Sequence, residues 1–159
     1  MTKPTSSEYG PCSCTALRKA NRRISQIYDA ALAPTGLKIT QRAILAQVGR
    51  SGPVGISALA QALVMDAGAL AHTLKPLERD GLLSIAPDPE DRRHRITSLT
   101  SLGRAKLAES DALWIQAQAA FESAVGKAET RALHKALARL SDRNFLAAFE
   151  AHFATDAKT

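Results

Sequence analysis

A chain of 159 residues is long enough to bury one core and too short for several independent domains of ordinary size. Hydrophobic residues make up 45% and aromatics only 4%, so the core has to be built mostly from Leu, Ala, Ile and Val packed helix against helix. The net charge of +6 draws polyanions, nucleic acid first among them, and no run approaches the ~20 apolar residues of a membrane span. Met1 to Pro11 is polar and lacks the apolar run of a secretion signal, so a cytoplasmic protein with no membrane partner is expected. Charge alone also fits a merely basic protein, and position along the chain has to decide.

Residues 1–14 are expected to form a flexible arm, rich in Ser, Thr, Pro and Gly. From Thr15 to Ala33, Leu17, Ala20, Ile24, Ile27, Tyr28 and Ala31 recur at helical spacing until Pro34-Thr35-Gly36 stops them. Thr40 reads as the N-cap of a second helix bearing Ile44, Leu45 and Val48, which ends at Gly49 to Pro53. After the extended piece Val54-Gly55-Ile56, Ser57 reads as the cap of a third helix carrying Leu59, Ala60, Leu63 and Val64. Asp66 reads as the cap of a fourth, with Leu70, Leu74 and Leu77. Two short helices joined by a tight turn are a helix-turn-helix candidate.

Gly81 suits a left-handed helix end, and Leu82 to Ile85 and Ile96 to Leu99 then read as strands around the polar loop Pro87 to Arg95, a hairpin wing. Thr100 caps a long helical segment with Leu102, Ala105, Ala108, Ala112, Ile115 and Ala119. Gly126 interrupts the pattern, and Leu133, Leu137 and Leu140 begin another helix running toward Phe149. The expected fold is mainly α with a small β-hairpin wing: a winged helix-turn-helix over residues 37–103, flanked by helical regions 15–36 and 104–159. The apolar stripes of those flanking helices need a partner, which a second chain supplies in a homodimer.

On the fourth helix the leucines share one face, while Gly68, His72, Lys75 and Arg79 fall near the opposite one at 100° per residue. Asp66, Ala67, Gly68, Ala69, Ala71, His72 and Lys75 are the candidates to meet a major groove. His72 and Lys75 would donate hydrogen bonds, and Ala69 or Ala71 would touch thymine methyls. An ordinary solvated face explains this helix as well. The wing is more telling, because Arg92, Arg93, His94 and Arg95 are consecutive and follow Asp88, Glu90 and Asp91. An arginine at a hairpin tip can enter the narrow, electronegative minor groove, and Asp91 is placed to orient Arg93. The same pair could equally serve the turn itself. Pro76 removes one backbone donor from the fourth helix, so a bend beyond Leu74 is expected.

The string Gly81-Leu82-Leu83, Pro87-Asp88-Pro89-Glu90-Asp91-Arg92-Arg93, Leu99-Thr100 and Gly103, with Leu37 and Gln41 upstream and Leu77-Glu78-Arg79 before Gly81, resembles the MarR (multiple antibiotic resistance regulator) family. The resemblance implies a homodimer joined by N- and C-terminal helices, with two winged lobes on a near-palindromic operator in double-stranded DNA. It further implies a repressor, released when a small phenolic or otherwise anionic effector binds between the dimer and DNA-binding regions. The chain departs from the family where Ala67, Ala69 and Ala71 replace frequent Ser or Thr, where His72 replaces Arg, and where Ile85-Ala86 replaces a basic pair. These changes remove phosphate and base contacts, so no operator sequence carries over.

Tyr28, Arg18 and Arg22 on or beside the first helix, and Trp114 on the long one, are candidate effector residues, although aromatics more often serve packing. The only two cysteines, Cys12 and Cys14, make no disulfide framework of a secreted fold. They are either free thiols without a role or, if two N-termini meet in a dimer, a redox or metal site. No cofactor is expected. Phosphate-binding glycine loops and nucleophile elbows are absent, and His72, His94, His134 and His152 lack ligand spacing, which argues against an enzyme. A helix-turn-helix-like protein-interaction module is the other alternative, separable by salt-sensitive binding to duplex DNA.

Overall fold

The computed structural model describes residues 10–156, so the expected arm lies outside the described residues as far as position 9. Its elements in chain order are α1 (Ser13–Leu32), a 3-10 turn (Ala33–Thr35), α2 (Ile39–Ser51), β1 (Val54–Gly55), α3 (Ile56–Ala62) and α4 (Ala67–Arg79). There follow β2 (Leu83–Pro87), β3 (Arg95–Leu99), α5 (Ser101–Val125), α6 (Lys127–Leu140) and α7 (Arg143–Asp156). The first helix thus starts two residues ahead of Thr15 and takes Cys14 out of the arm. The chain divides into two compact units whose boundary falls within α5, after Ala117. Among the described residues no helix is long and apolar enough to cross a membrane.

In the first unit, α1 stops as its sequence dictates. Thr35 is buried, donates its hydroxyl to the Leu32 carbonyl at 2.7 Å and accepts the Leu37 N–H at 3.2 Å, while Gly36 takes a φ of 74°. Helix α2 then begins at Ile39, so Thr40 is not its cap. The orphan amides are met from elsewhere: Asp29 of α1 accepts the Ile39 N–H at 2.7 Å, and Gln41 Oε1 accepts the Lys38 N–H at 2.9 Å. Likewise Gly55 occupies the N-cap of α3 and Ser57 lies within the helix, which corrects its assignment as a cap. In both cases the expected cap stands at the second helical position, one residue past the first.

The core gathers Leu37, Ile44, Leu45, Val48, Leu59, Ala60, Leu70, Leu74, Leu77, Leu82 and Leu83. Full burial of each large aliphatic side chain contributes about 1.5–3 kcal/mol, so this cluster fixes α2, α3 and α4 around one centre. The sheet has the order β1-β3-β2 and is antiparallel throughout, with Val54 opposite Thr97 and Leu83 opposite Leu99. The short extended piece after α2 is therefore a third strand.

Helices α3 and α4 end in the same six-residue backbone arrangement. After α4, Gly81 sits at φ 70°, its N–H donates to the Glu78 carbonyl, and the Leu82 N–H reaches the Leu77 carbonyl at 2.9 Å. After α3, Val64 takes the left-handed position at φ 51°, with its N–H on the Gln61 carbonyl and the Met65 N–H on that of Ala60. Glycine adopts this conformation freely, whereas a β-branched residue is strained there. Helix α5 starts against the end of α4: the Thr100 hydroxyl donates to the Gly81 carbonyl at 2.6 Å and accepts the Gly103 N–H at 2.9 Å, as its sequence suggests. A Cβ on Gly103 would stand 1.9 Å from the Leu82 carbonyl oxygen, so only glycine allows this approach.

In the second unit the last helical stretch is split. The Ser141 hydroxyl donates to the Leu137 carbonyl at 3.0 Å, and Asp142 accepts the Asn144 N–H at 2.6 Å, ending α6 and opening α7. The single helix expected from Leu133 toward Phe149 is therefore two. Every residue from Arg131 to His152 is exposed, including Leu133, Leu137, Leu140, Phe145, Leu146 and Phe149.

Candidate nucleic-acid interface

Helix α4 opens on Asp66, whose Oδ1 accepts the N–H groups of Gly68 at 2.8 Å and Ala69 at 3.1 Å. With Leu70, Leu74 and Leu77 drawn into the core, Ala67, Gly68, Ala69, Ala71, His72 and Lys75 are left exposed on the outer surface. Pro76 does not end the helix, which runs on to Arg79. Arg79 itself is engaged by Asp80, Nε to Oδ1 at 2.9 Å, which fits a surface pair better than a free contact.

The wing tip is built on two side-chain-to-backbone turns. Asp88 accepts the Glu90 N–H at 2.9 Å and Asp91 accepts the Arg93 N–H at 3.1 Å, while the Asp88 N–H closes on the His94 carbonyl at 2.9 Å. Asp91 also grips the Arg93 guanidinium, accepting Nε at 3.0 Å on Oδ1 and Nη2 at 2.8 Å on Oδ2. The Arg93 side chain nonetheless remains 87% exposed. The guanidinium and the backbone N–H of Arg93 hold the Asp91 carboxyl below the usual carboxylate range, so the pair is charged at neutral pH. His94 Nε2 stands 3.6 Å from Asp91 Oδ2, and Arg95 is tied back to the Ile85 carbonyl at 3.1 Å. Arg92 and Arg93 are thus the cations best presented at the tip. Surface ion pairs add little stability, so the Asp91 grip matters for the direction it gives the arginine.

The four candidate effector residues are not brought to one place. Arg18 and Arg22 lie on the exposed first half of α1, with Arg22 in a shallow cleft beside Lys19 and Arg23. Tyr28 is buried, and burial pushes its phenol up from the ordinary value. Trp114 instead meets Arg42, a residue the sequence reading missed. The Arg42 guanidinium lies 4.4 Å from the indole centroid and donates to Asp111 at 2.6 Å, with its side chain only 9% exposed. The available signal was its spacing, since Arg42 stands three residues before Leu45 on the buried face of α2. Arg42, Trp114 and Asp111 line a cleft of about 460 Å³ between α2 and α5, along with Arg50, Arg104 and Leu107. Arg50 and Arg104 hydrogen-bond only neutral oxygens, of Gln47, Leu99 and Ser101, so the cleft carries uncompensated positive charge.

Cys12 is the N-cap of α1 and Cys14 lies in its first turn, both exposed. Among the described residues no group of three or more His, Cys, Asp or Glu is placed to hold a metal ion.

Residues 37–94 match the MarR family model. The structure is similar to that of the transcriptional regulator MOSR of M. tuberculosis in complex with DNA. The TM-score is 0.77, the identity 32%, and the match covers 89% of this chain and 98% of that one. It is also similar to the transcriptional repressor CouR bound to a 23-mer DNA duplex, at TM-score 0.76 and 25% identity over 89% and 100% of the two chains. The fold is shared with BpsR of Bordetella bronchiseptica, whose DNA binding is regulated by 6-hydroxynicotinic acid, at TM-score 0.75 and 24% identity over 89% and 99%. No curated protein matches the chain. The proteins it resembles are transcriptional regulators rather than enzymes. A winged helix-turn-helix with an Asp91-held arginine at its tip, matched along nearly the whole of a DNA-bound regulator, makes this chain a member of the MarR family of DNA-binding transcriptional regulators.

Proposed function

We propose that the protein is a homodimeric repressor that reads a near-palindromic operator and leaves it when an anionic aromatic effector binds. The observation that carries the DNA reading is the wing: a guanidinium gripped by a carboxylate on one edge yet 87% exposed is preset for a minor groove. In this reading Arg93 inserts, Asp91 orients it, and Arg92, His94 and Arg95 meet the flanking phosphates. Asp66 to Ala71 bring the start of α4 to the major groove, with His72 and Lys75 as donors. Ser57, exposed on the first turn of α3, would face a phosphate from inside the helix. A protein acting on chromosomal DNA works in the cytoplasm.

Dimerisation is supported by where apolar surface remains. Leu17 and Ile27 of α1, Leu102, Ile115 and Val125 of α5, and the large apolar residues of α6 and α7 are exposed, whereas the winged lobe between them exposes only Val64 among its large hydrophobic side chains. The effector reading rests on the α2–α5 cleft, where Trp114 offers an aromatic wall and Arg50 and Arg104 lack carboxylate partners. Arg18, Arg22 and Tyr28 have no part in that cleft.

Binding to the promoter duplex beside the protein's own gene, across a salt series and against random duplex, tests the DNA reading. Arg93→Ala is expected to weaken specific binding by about 1–3 kcal/mol and to reduce the salt slope by about one. Equal affinity of wild type and variant for both duplexes would favour a protein-interaction module. Trp114 is the only tryptophan, so its fluorescence reports on the cleft directly. Titration with a hydroxybenzoate should quench it and release the duplex, and Arg104→Ala should weaken that response.

A further inference from the structure

Elsewhere in the first unit, cations are matched by carboxylates: Lys38 by Asp29, Arg42 by Asp111, Arg79 by Asp80, Arg93 by Asp91 and Lys106 by Glu109. The first half of α1 is different. Arg18, Lys19, Arg22 and Arg23 are all exposed, and no acceptor among the described residues engages any of them. The one carboxylate of α1, Asp29, is already taken, accepting the Ile39 N–H at 2.7 Å and pairing with Lys38 at 3.6 Å. At 100° per residue the four cations fill an arc of about 140°, with Leu17, Ala20, Ile24 and Ile27 on the other side of the helix. Lys19, Arg22, Arg23 and Gln26 line one shallow cleft on the basic side. The apolar stripe is the one the proposed dimer covers, so pairing along it would leave the basic face open. Buried Tyr28 and Leu32 tie the end of α1 to the lobe, where it rests on α2, whereas α4 packs on α3 and β2. The basic face of α1 and the wing are therefore separate surfaces of one unit.

Charge density and composition select the partner. Residues 18–23 advance about 9 Å along the helix axis and carry four cations, a density comparable to the one phosphate charge per about 1.7 Å of duplex axis. Their only apolar member is Ala20, whereas more than half of an ordinary protein interface is apolar and a helix lying on a membrane buries its apolar face. We propose that the first half of α1 is a second duplex-DNA surface, which holds backbone phosphates without regard to sequence through Arg18, Lys19, Arg22 and Arg23. The guanidinium forks and the ammonium donate to phosphate oxygens, and counterions released from the duplex drive the contact. Two such faces in the proposed dimer would grip DNA outside the operator while the winged lobes read it. That use rests on the operator reading, but phosphate binding by α1 does not.

Amine labelling of Lys19, read by peptide mass spectrometry with and without random duplex, tests the contact in the intact protein. Lys19 should be labelled several-fold more slowly once duplex is added, and should regain its rate as salt is raised. The combined variant Arg18→Gln, Lys19→Gln, Arg22→Gln and Arg23→Gln should bind random duplex at least roughly tenfold more weakly at low salt, with a salt slope lower by about three to four per chain. Protection of Lys19 should persist in Arg93→Ala, so failure of the wing and failure of this surface are told apart. With a duplex that ends at the operator and a labelled random duplex together, both DNAs sedimenting on one protein assign the surface to a separate segment. A gain in affinity only from flanks attached to the operator assigns it to the same DNA, and either result supports the surface. Lys19 labelled at one rate with and without duplex, a combined variant with wild-type affinity and salt slope, or protection by anionic lipid vesicles but not by duplex would overturn it.

Discussion

Between Leu37 and Leu83 the apolar side chains of three helices and a strand close into a core in which Ile44, Leu45, Leu59, Leu70 and Leu77 lose all contact with solvent. Helices α1, α5, α6 and α7 carry apolar residues at similar helical spacing, yet Ile27, Ile115, Leu133, Leu137 and Phe149 stay exposed. The same periodicity therefore has two outcomes, set by whether a complementary surface exists in the same chain. The winged lobe covers its apolar residues by itself, whereas the terminal helices leave theirs uncovered, the feature on which the proposed dimer rests.

Substitutions at matched leucines should break this contrast in opposite ways. Leu74→Ala empties a site 1% exposed in the lobe core and should cost about 2–5 kcal/mol in urea unfolding. Leu137→Glu touches a residue 38% exposed and should leave the fold of the lobe intact while raising the dimer dissociation constant about 100-fold, equivalent to about 2.7 kcal/mol, by sedimentation equilibrium. An unchanged dimer would place the interface elsewhere. The smallest effect tests the lobe's single strained exception. Val64→Gly relieves a left-handed valine in a turn whose counterpart after α4 is glycine, and should stabilise the protein by about 1 kcal/mol with DNA affinity unchanged.

What was legible in the sequence follows from how local each determinant is. The Asp66 and Thr100 caps, the Gly81 helix end and the Asp91–Arg93 wing pair are short-range devices, and their residues stand within a few positions of what they hold. Thr40 and Ser57 misled because the start of α2 is satisfied by Asp29, ten residues before Ile39, and that of α3 by no side chain at all. The break at Ser141-Asp142 was readable as a stop followed by a cap, but the continuing run of leucines and alanines masked it. Arg42 and Asp111 are 69 positions apart, and only the packed fold brings them to Trp114. The exposed face of α4 and the Asp91–Arg93 wing tip were therefore legible as local features of the sequence, while the α2–α5 cleft was not.

The most direct test of a dimer that delivers two winged lobes to DNA is the number of chains bound to one operator duplex, measured by sedimentation at limiting duplex. Two chains per duplex for the wild type is the expected result, with tight binding lost for Leu137→Glu although its lobe still folds. A single chain bound specifically and at full affinity, with Leu137→Glu unaffected, would contradict it.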